Sequence, residues 1–320
     1  KEYDGLTSSN KGEIVDNIDE WTPWSAPYED FFGDLLSPGN RQYVQFRLLF
    51  SSDDARQSAL VDSFSFDYSI PTLAAEMTAE VTPATVTLGE SNTFDYYIRS
   101  NFDAANAGFD QVQIRTPFKA TVQAVELDGT PVAFSEIDTE NENSLAIVLT
   151  NDRVSASGQV LRITFDALVT VYGTTFFAKV FDSQTGELGQ DVVPGDASPA
   201  AEANRLSIQG ALRQELVLEL KANPPVFTPN GDGINDELQV SYILLRALVQ
   251  VPIDVTLYDL SGRSIRHLQN NGALNGPQQL LWDGKNEDGV MAPPGIYLLR
   301  LSIDTDTGSE NRTLLVGLAY

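Results

Sequence analysis

The densest chemistry in this chain lies in Phe227-Thr-Pro-Asn-Gly-Asp-Gly-Ile-Asn-Asp236. Asn230, Asp232, Asn235 and Asp236 bring four side-chain oxygen donors together in sequence. Gly231 and Gly233 allow backbone angles that other residues resist. Two chemistries suit that composition. One is calcium binding, since Ca²⁺ takes about six to eight oxygens. The twelfth position counted from Asn230 is Ser241, not the Glu that closes an EF-hand loop. The other is a self-contained turn, in which Asn and Asp side chains accept bonds from nearby backbone N–H groups. The loop Asp283–Asp288 offers the same two readings with looser spacing.

Catalytic patterns are sparse. The single histidine, His267, sits in Arg263-Ser-Ile-Arg-His-Leu268 with no acid close in sequence, and reads as a surface strand residue rather than a general base. One histidine makes neither a His-cluster zinc site nor an HExxH helix. Cysteine is absent, which excludes thiolate metal sites, thiol nucleophiles and disulfides. There is no GxSxG elbow and no Walker-type phosphate loop. Carboxylates are plentiful, as at Asp53-Asp54 and between Glu136 and Glu142, but acidic side chains mostly serve as solvated surface. The chain therefore reads as non-catalytic, with no cofactor unless calcium occupies the Asn230–Asp236 loop. Aromatic rings supply the remaining binding chemistry. Trp21, Trp24, Tyr28 and Tyr43 can stack on a glycan or cap a core. Pro23 keeps the Trp21–Trp24 pair out of a regular central strand.

Composition narrows the partners. Asp and Glu outnumber Lys and Arg by 45 to 20, for a net charge of −25. Such a chain repels nucleic-acid phosphates and anionic lipid. Its 42% hydrophobic content is enough for packed cores. Its 320 residues are enough for two or three domains. No apolar run approaches the ~20 residues a membrane-spanning helix needs. The chain opens on Lys1 rather than Met, which reads as a processed or excised start.

The elements that position these groups are β-strands. Arg41–Phe50 alternates with period two, and so does Ser63–Ile70, where Phe64, Phe66, Tyr68 and Ile70 share a face. Further strand runs fall at Ala79–Val86, Thr93–Arg99, Val112–Arg115, Ala120–Leu127, Ser144–Leu149, Val160–Phe165 and Thr174–Phe181. Tyr242–Val249 reads as a strand followed by a loop. Turn clusters such as Leu127-Asp-Gly-Thr-Pro131 separate the runs. Short, regularly spaced strands predict an all-β chain of serial sandwiches. Breaks near Pro71 and across Pro194–Asn204 divide it into residues 1–72, 73–205 and 206–320.

Each unit carries a resemblance. The last resembles the FlgD-like immunoglobulin-type domain at the C-termini of secreted bacterial proteins. The matching residues are Phe227–Asp236, Leu257-Tyr-Asp-Leu-Ser-Gly-Arg263, Trp282-Asp-Gly-Lys-Asn-Glu-Asp-Gly289 and Pro294-Gly-Ile-Tyr-Leu-Leu-Arg300. It is also similar to the C-terminal sorting domains of type IX secretion cargo. The middle unit, through Val81-Thr-Pro-Ala-Thr-Val-Thr-Leu-Gly-Glu90, resembles immunoglobulin-like or cohesin-like sandwiches. The first resembles the C-terminal half of a bacterial jelly roll, through Trp21–Ser25, Pro38–Arg47 and Leu60–Tyr68. A jelly roll has about eight strands and this unit supplies about half. The missing strands are expected from a cleaved N-terminal portion that stays bound or from another copy. These resemblances imply an extracellular or cell-surface protein with a structural or adhesive role, as a stalk or filament subunit. The last domain would serve export or attachment through secretion or outer-membrane machinery. The contrasting expectation is a carbohydrate-binding appendage of an extracellular enzyme.

Overall fold

A computed structural model of the chain describes residues 22–28, 35–36, 43–51, 56, 60–139, 143–185, 188–201, 203–211, 213–247, 249–269, 272–305 and 308–320. It divides into two units, Lys1–Ser65 and Phe66–Tyr320. Among the described residues every regular element is a β-strand.

The first unit corrects one expectation. Of the run Arg41–Phe50 expected to be a strand, the described residues 43–50 lie in none, and the run Ser63–Ile70, which continues into the second unit, lies in none either. The cause is pairing. Period two prepares a segment to present one face, but a strand exists only when neighbours take up its N–H and C=O groups. Here local contacts substitute: the Phe46 and Phe64 rings meet edge-on with centroids 4.6 Å apart. Leu49 and Leu60 are 80% and 84% exposed, so these two side chains join no core among the described residues.

The second unit holds two cores. The first sandwich comprises β1 (Glu76–Thr82), β2 (Thr85–Thr87), β3 (Ser91–Asn101), β4 (Gln111–Arg115), β5 (Thr121–Leu127), β6 (Thr130–Pro131), β7 (Phe134–Glu136), β8 (Ser144–Leu149), β9 (Val160–Leu168), β10 (Gly173–Thr175), β11 (Ala178–Phe181), β12 (Gln190–Asp191), β13 (Val193–Pro194) and β14 (Ser207–Ala211). Its sheets run β13-β1-β3-β9-β5-β6, β12-β11-β4-β8-β7 and β10-β14-β2. Alternation decides what each strand buries: Leu161, Ile163, Phe165 and Ala167 of β9 all point inward. Phe94, Phe165 and Phe176 pack at ring separations of 5.0 to 5.6 Å at the heart of this core.

The segment Pro194–Asn204, read from sequence as a break, is instead fastened to β1. Glu80 is fully buried, and its carboxylate accepts four backbone N–H groups: Ala197 and Ser198 on Oε1 at 2.9 and 2.7 Å, Ala203 and Asn204 on Oε2 at 2.9 Å each. Leu206 and Ile208 then enter the first core, so the first sandwich extends through β14 rather than stopping at residue 205.

The second sandwich comprises β15 (Val217–Asn223), β16 (Val226–Phe227), β17 (Leu238–Leu244), β18 (Val251–Asp259), β19 (Ser264–Gln269), β20 (Gly272–Ala273), β21 (Gly276–Trp282), β22 (Gly295–Thr305) and β23 (Gly308–Leu318). One sheet runs β15-β17-β21 and the other β16-β23-β22-β18-β19, with β20 paired to β18. The two sandwiches touch. Leu245, just past β17, is fully buried in the first core. Arg246 donates its N–H to the Thr170 carbonyl at 3.1 Å, and Asn275 Nδ2 donates to Thr170 Oγ1 at 2.8 Å.

Candidate functional site

Three of the four C-terminal motifs converge on one aromatic cluster. Phe227, from the Asn/Asp-rich motif, packs on Trp282 with ring centroids 5.1 Å apart. Trp282 meets Tyr297 of the Pro-Gly-Ile-Tyr motif edge-on at 5.2 Å. All three rings are buried. The polar ends of Trp282 and Tyr297 are satisfied by the chain just after β21 and just before β22. Trp282 Nε1 donates to the Lys285 carbonyl at 2.9 Å, and the Tyr297 hydroxyl donates to the Pro293 carbonyl. Leu257 of the remaining motif is buried in the same core. The motifs are thus one packing unit written at four places in the chain.

The loop before β17 is built by its own side chains. Asp236 accepts Gly231 N–H on Oδ1 at 2.6 Å and Gly233 N–H on Oδ2 at 2.7 Å. Those two donors hold its carboxyl below the usual aspartate range. Asp232 Oδ1 accepts Ile234 N–H, and Asn230 Oδ1 accepts Asp232 N–H. Asn230 Nδ2 donates to Asp232 Oδ2 at 3.1 Å. Asn235 takes φ of +56° and its carbonyl accepts Thr228 N–H. Gly231 and Gly233 have φ of +82° and +85°, the left-handed angles for which glycine is suited. The four oxygen-bearing residues share one loop, in which the side-chain oxygens of Asn230, Asp232 and Asp236 accept from donors of the loop itself. Among the described residues no group of three or more His, Asp or Glu side chains is placed to hold a metal ion.

The same device recurs. Asp259 Oδ1 accepts from Ser261 Oγ and from the Ser261 and Arg263 N–H groups, and those bonds lower its pKa. Asn286 Oδ1 accepts Asp288 and Val290 N–H. Gly284, at φ +80°, is forced by space as well: a Cβ there would lie 2.9 Å from Pro229 Cγ and 3.0 Å from Met291 Sδ.

His267 acquires an acid that sequence separation concealed. Pairing of β18 with β19 brings Asp254 Oδ2 to 3.5 Å from its Nδ1, while Thr256 Oγ1 sits closer at 2.8 Å. Ser264 Oγ lies 3.5 Å from Nε2. These residues resemble a nucleophile–base–acid chain only in type. The 3.5 Å spacings are too long to fix the imidazole or activate the serine. Imidazole and carboxylate are both open to solvent.

Of the glycan candidates, Trp24, Tyr28 and Tyr43 are among the described residues. Trp24 has the Arg47 guanidinium 4.3 Å over its ring, the position a stacked sugar would take. The Tyr28 hydroxyl accepts Leu36 N–H at 2.8 Å, and Tyr43 is 71% exposed. No ring contact links Trp24, Tyr28 and Tyr43 among the described residues. Trp21 lies outside the described residues.

The second sandwich coincides with a known family. Residues 221–316 match the CHU_C type IX secretion signal domain. That signal indicates export to the extracellular space or the cell surface, and the segment that matches it follows the first β-sandwich. No curated protein sequence matches the chain. Three solved structures are similar at low scores. The dimeric latent PorU of Porphyromonas gingivalis aligns at 14% identity over 75% of this chain and 20% of its own, with a TM-score of 0.29. An uncharacterized immunoglobulin-like protein from Nocardia farcinica aligns at 14% identity over 43% of this chain and 99% of its own, with a TM-score of 0.28. The 35 kDa C-terminal fragment of the major pilin GBS80 of Streptococcus agalactiae aligns at 10% identity over 75% of this chain and 90% of its own, with a TM-score of 0.27. The chain spans a fifth of the PorU chain.

Proposed function

We propose that this chain is a non-catalytic, structural segment of a secreted bacterial surface protein, delivered by its last domain. The observation that carries this reading is the match of residues 221–316 to the secretion signal domain, whose four motifs serve one core. That domain interacts with the secretion machinery. The preceding sandwich adds extent and rigidity. Its hydrogen-bonded loops, such as the one around Glu80, spend their polar groups on the chain itself.

The first unit takes a second role in this reading. Its alternating residues 43–50 lie in no strand, and in this reading the strands that complete the unit come from another part of the same protein or another copy. Assembly follows by strand addition, in which backbone bonds supply affinity and alternating apolar side chains supply register. Two measurements test the proposal. Full-length chain expressed in a bacterium with a type IX system should reach the surface or the medium, whereas a version ending at Ala211 should stay in the periplasm. Purified chain should self-associate in sedimentation, with a gain in β-signal as it does. A strictly monomeric chain at high concentration would remove the assembly role while leaving export intact.

A further inference from the structure

Packing the core accounts for only one face of the last sheet. Along β22 the inward residues Tyr297, Leu299, Leu301 and Ile303 are buried. The outward ones begin with Ile296 and Leu298, which alternation should have made polar. Strand register puts more apolar groups beside them. Leu298 is paired with Leu315 of β23 on one side and with Tyr258 of β18 on the other. Ile296 is paired with Gly317, and Gly317 is paired in turn with Val226 of β16. Val226 leans over that glycine: a Cβ on Gly317 would lie 2.9 Å from Val226 Cγ2. Val226, Ile296 and Leu315 are 54 to 59% exposed. The result is a contiguous apolar patch across four adjacent strands, with a shallow floor at Gly317. Single exposed apolar residues need no explanation, but a joined patch of this kind marks a contact surface.

What covers it follows from charge and position. The patch is bordered by Arg300, whose Nε and Nη2 donate to the neutral Asn311 Oδ1 at 3.3 and 3.0 Å. Among the described residues Arg300 pairs with no carboxylate. Arg312, the residue after Asn311, is by contrast neutralised by Glu310 at 2.7 Å. A guanidinium held by a neutral amide beside an apolar patch fits a partner that presents an apolar ridge with a carboxylate next to it. All five apolar side chains and Arg300 lie within residues 221–316, the segment that matches the secretion signal domain.

We propose that the outward face formed by Val226, Tyr258, Ile296, Leu298 and Leu315, with Arg300 at its border, is the surface through which this domain docks a protein of the export machinery. The proposal rests on the reading of residues 221–316 as an export signal. It assigns two jobs to the same motifs: Tyr297 and Leu257 hold the domain together, while Ile296, Leu298 and Tyr258 hold its receptor.

The test uses the full chain in a bacterium with a type IX system. Ile296→Glu, Leu315→Glu and Arg300→Glu are compared with Leu281→Glu, which alters an equally exposed apolar residue on the other sheet. Melting curves of the purified proteins establish folding. Should a glutamate variant fail to fold, Ile296→Thr and Leu315→Ser replace it. The expected result is wild-type export for Leu281→Glu and at least about tenfold lower export for the patch variants, the factor for losing one central anchor of an interface. Folded patch variants exported as well as wild type would overturn the surface while leaving the export reading standing. Retention of the wild-type chain itself would overturn the export reading, and the docking surface with it. Export unchanged but a wild-type dimer broken by Leu315→Glu would assign the patch to a second copy and likewise overturn the proposal.

Discussion

Glu80→Gln changes one atom and should loosen the whole segment between β13 and β14. In the native chain both carboxylate oxygens are used twice, by Ala197 and Ser198 on one side and by Ala203 and Asn204 on the other. Glutamine keeps the shape and one accepting oxygen. Its amide nitrogen then faces two backbone N–H donors, which repel it and lose their acceptor. Each buried donor left unsatisfied costs about 1–3 kcal/mol, so the substitution should cost about 2–6 kcal/mol. Other fastenings limit collapse to this segment: Gly195 N–H still reaches the Ala79 carbonyl at 3.0 Å, and Arg99 Nε still reaches the Ala197 carbonyl at 2.9 Å.

Acid should act on the same carboxyl. Burial pushes the Glu80 pKa up, the four N–H donors push it down further, and the net shift is downward from the usual 4.5. Between the folded pKa and 4.5 the unfolded chain therefore binds more protons, so stability rises with pH there. The contribution is complete above 4.5 and is lost as pH falls through the lower folded value. The assay is amide hydrogen exchange at Ala197, Ser198, Ala203 and Asn204, in wild type and variant at one neutral pH. A drop of about 2 kcal/mol in opening free energy speeds exchange roughly thirtyfold. Equal protection of the four amides in both proteins would refute the reasoning, because no other acceptor for them would then be needed.

Further outcomes follow from the same geometry. Trp282→Ala removes the ring between Phe227 and Tyr297 and should cost about 3–5 kcal/mol in thermal or denaturant unfolding, against about 1 kcal/mol for loss of the Lys285 bond alone. Leu245→Ala empties a site in the first core from a residue beyond β17, so it should destabilise the first sandwich by about 2–5 kcal/mol, read by exchange at its β9 amides. Added calcium should leave the melting temperature unchanged, since the oxygens of Asn230, Asp232 and Asp236 already serve the loop, whereas Asp236→Ala should lower it by freeing Gly231 and Gly233 N–H.

The legible parts of the fold were those written locally. Ser144–Leu149 and Ala120–Leu127 alternate, and they form β8 and β5 almost residue for residue. The turn at Asn230–Asp236 was legible as a turn because Asn, Asp and Gly carry their own hydrogen-bonding and φ preferences. What escaped depended on partners remote in sequence. Asp254 meets His267 only through strand pairing, Glu80 finds its donors more than a hundred residues away, and Leu245 enters a core formed largely before it. The apolar patch escaped for another reason. In Gly295–Arg300 both faces are apolar, so alternation cannot say which residues pack inward, and only the register with β18 and β23 sorts Ile296 and Leu298 outward.

Residues 63–70 show why local pattern is not enough. Ser63-Phe-Ser-Phe-Asp-Tyr-Ser-Ile70 alternates as cleanly as β9, yet β9 is a strand and this segment is not. The difference is company: β9 lies between β3 and β5 and buries Leu161, Ile163 and Phe165, whereas Phe64, Tyr68 and Ile70 stay exposed. Fixing one backbone residue costs about 1–2 kcal/mol of entropy, and an extended segment recovers that only through ladder bonds and a buried face. Both must come together, because the ladder sets the register and the register decides which face is buried.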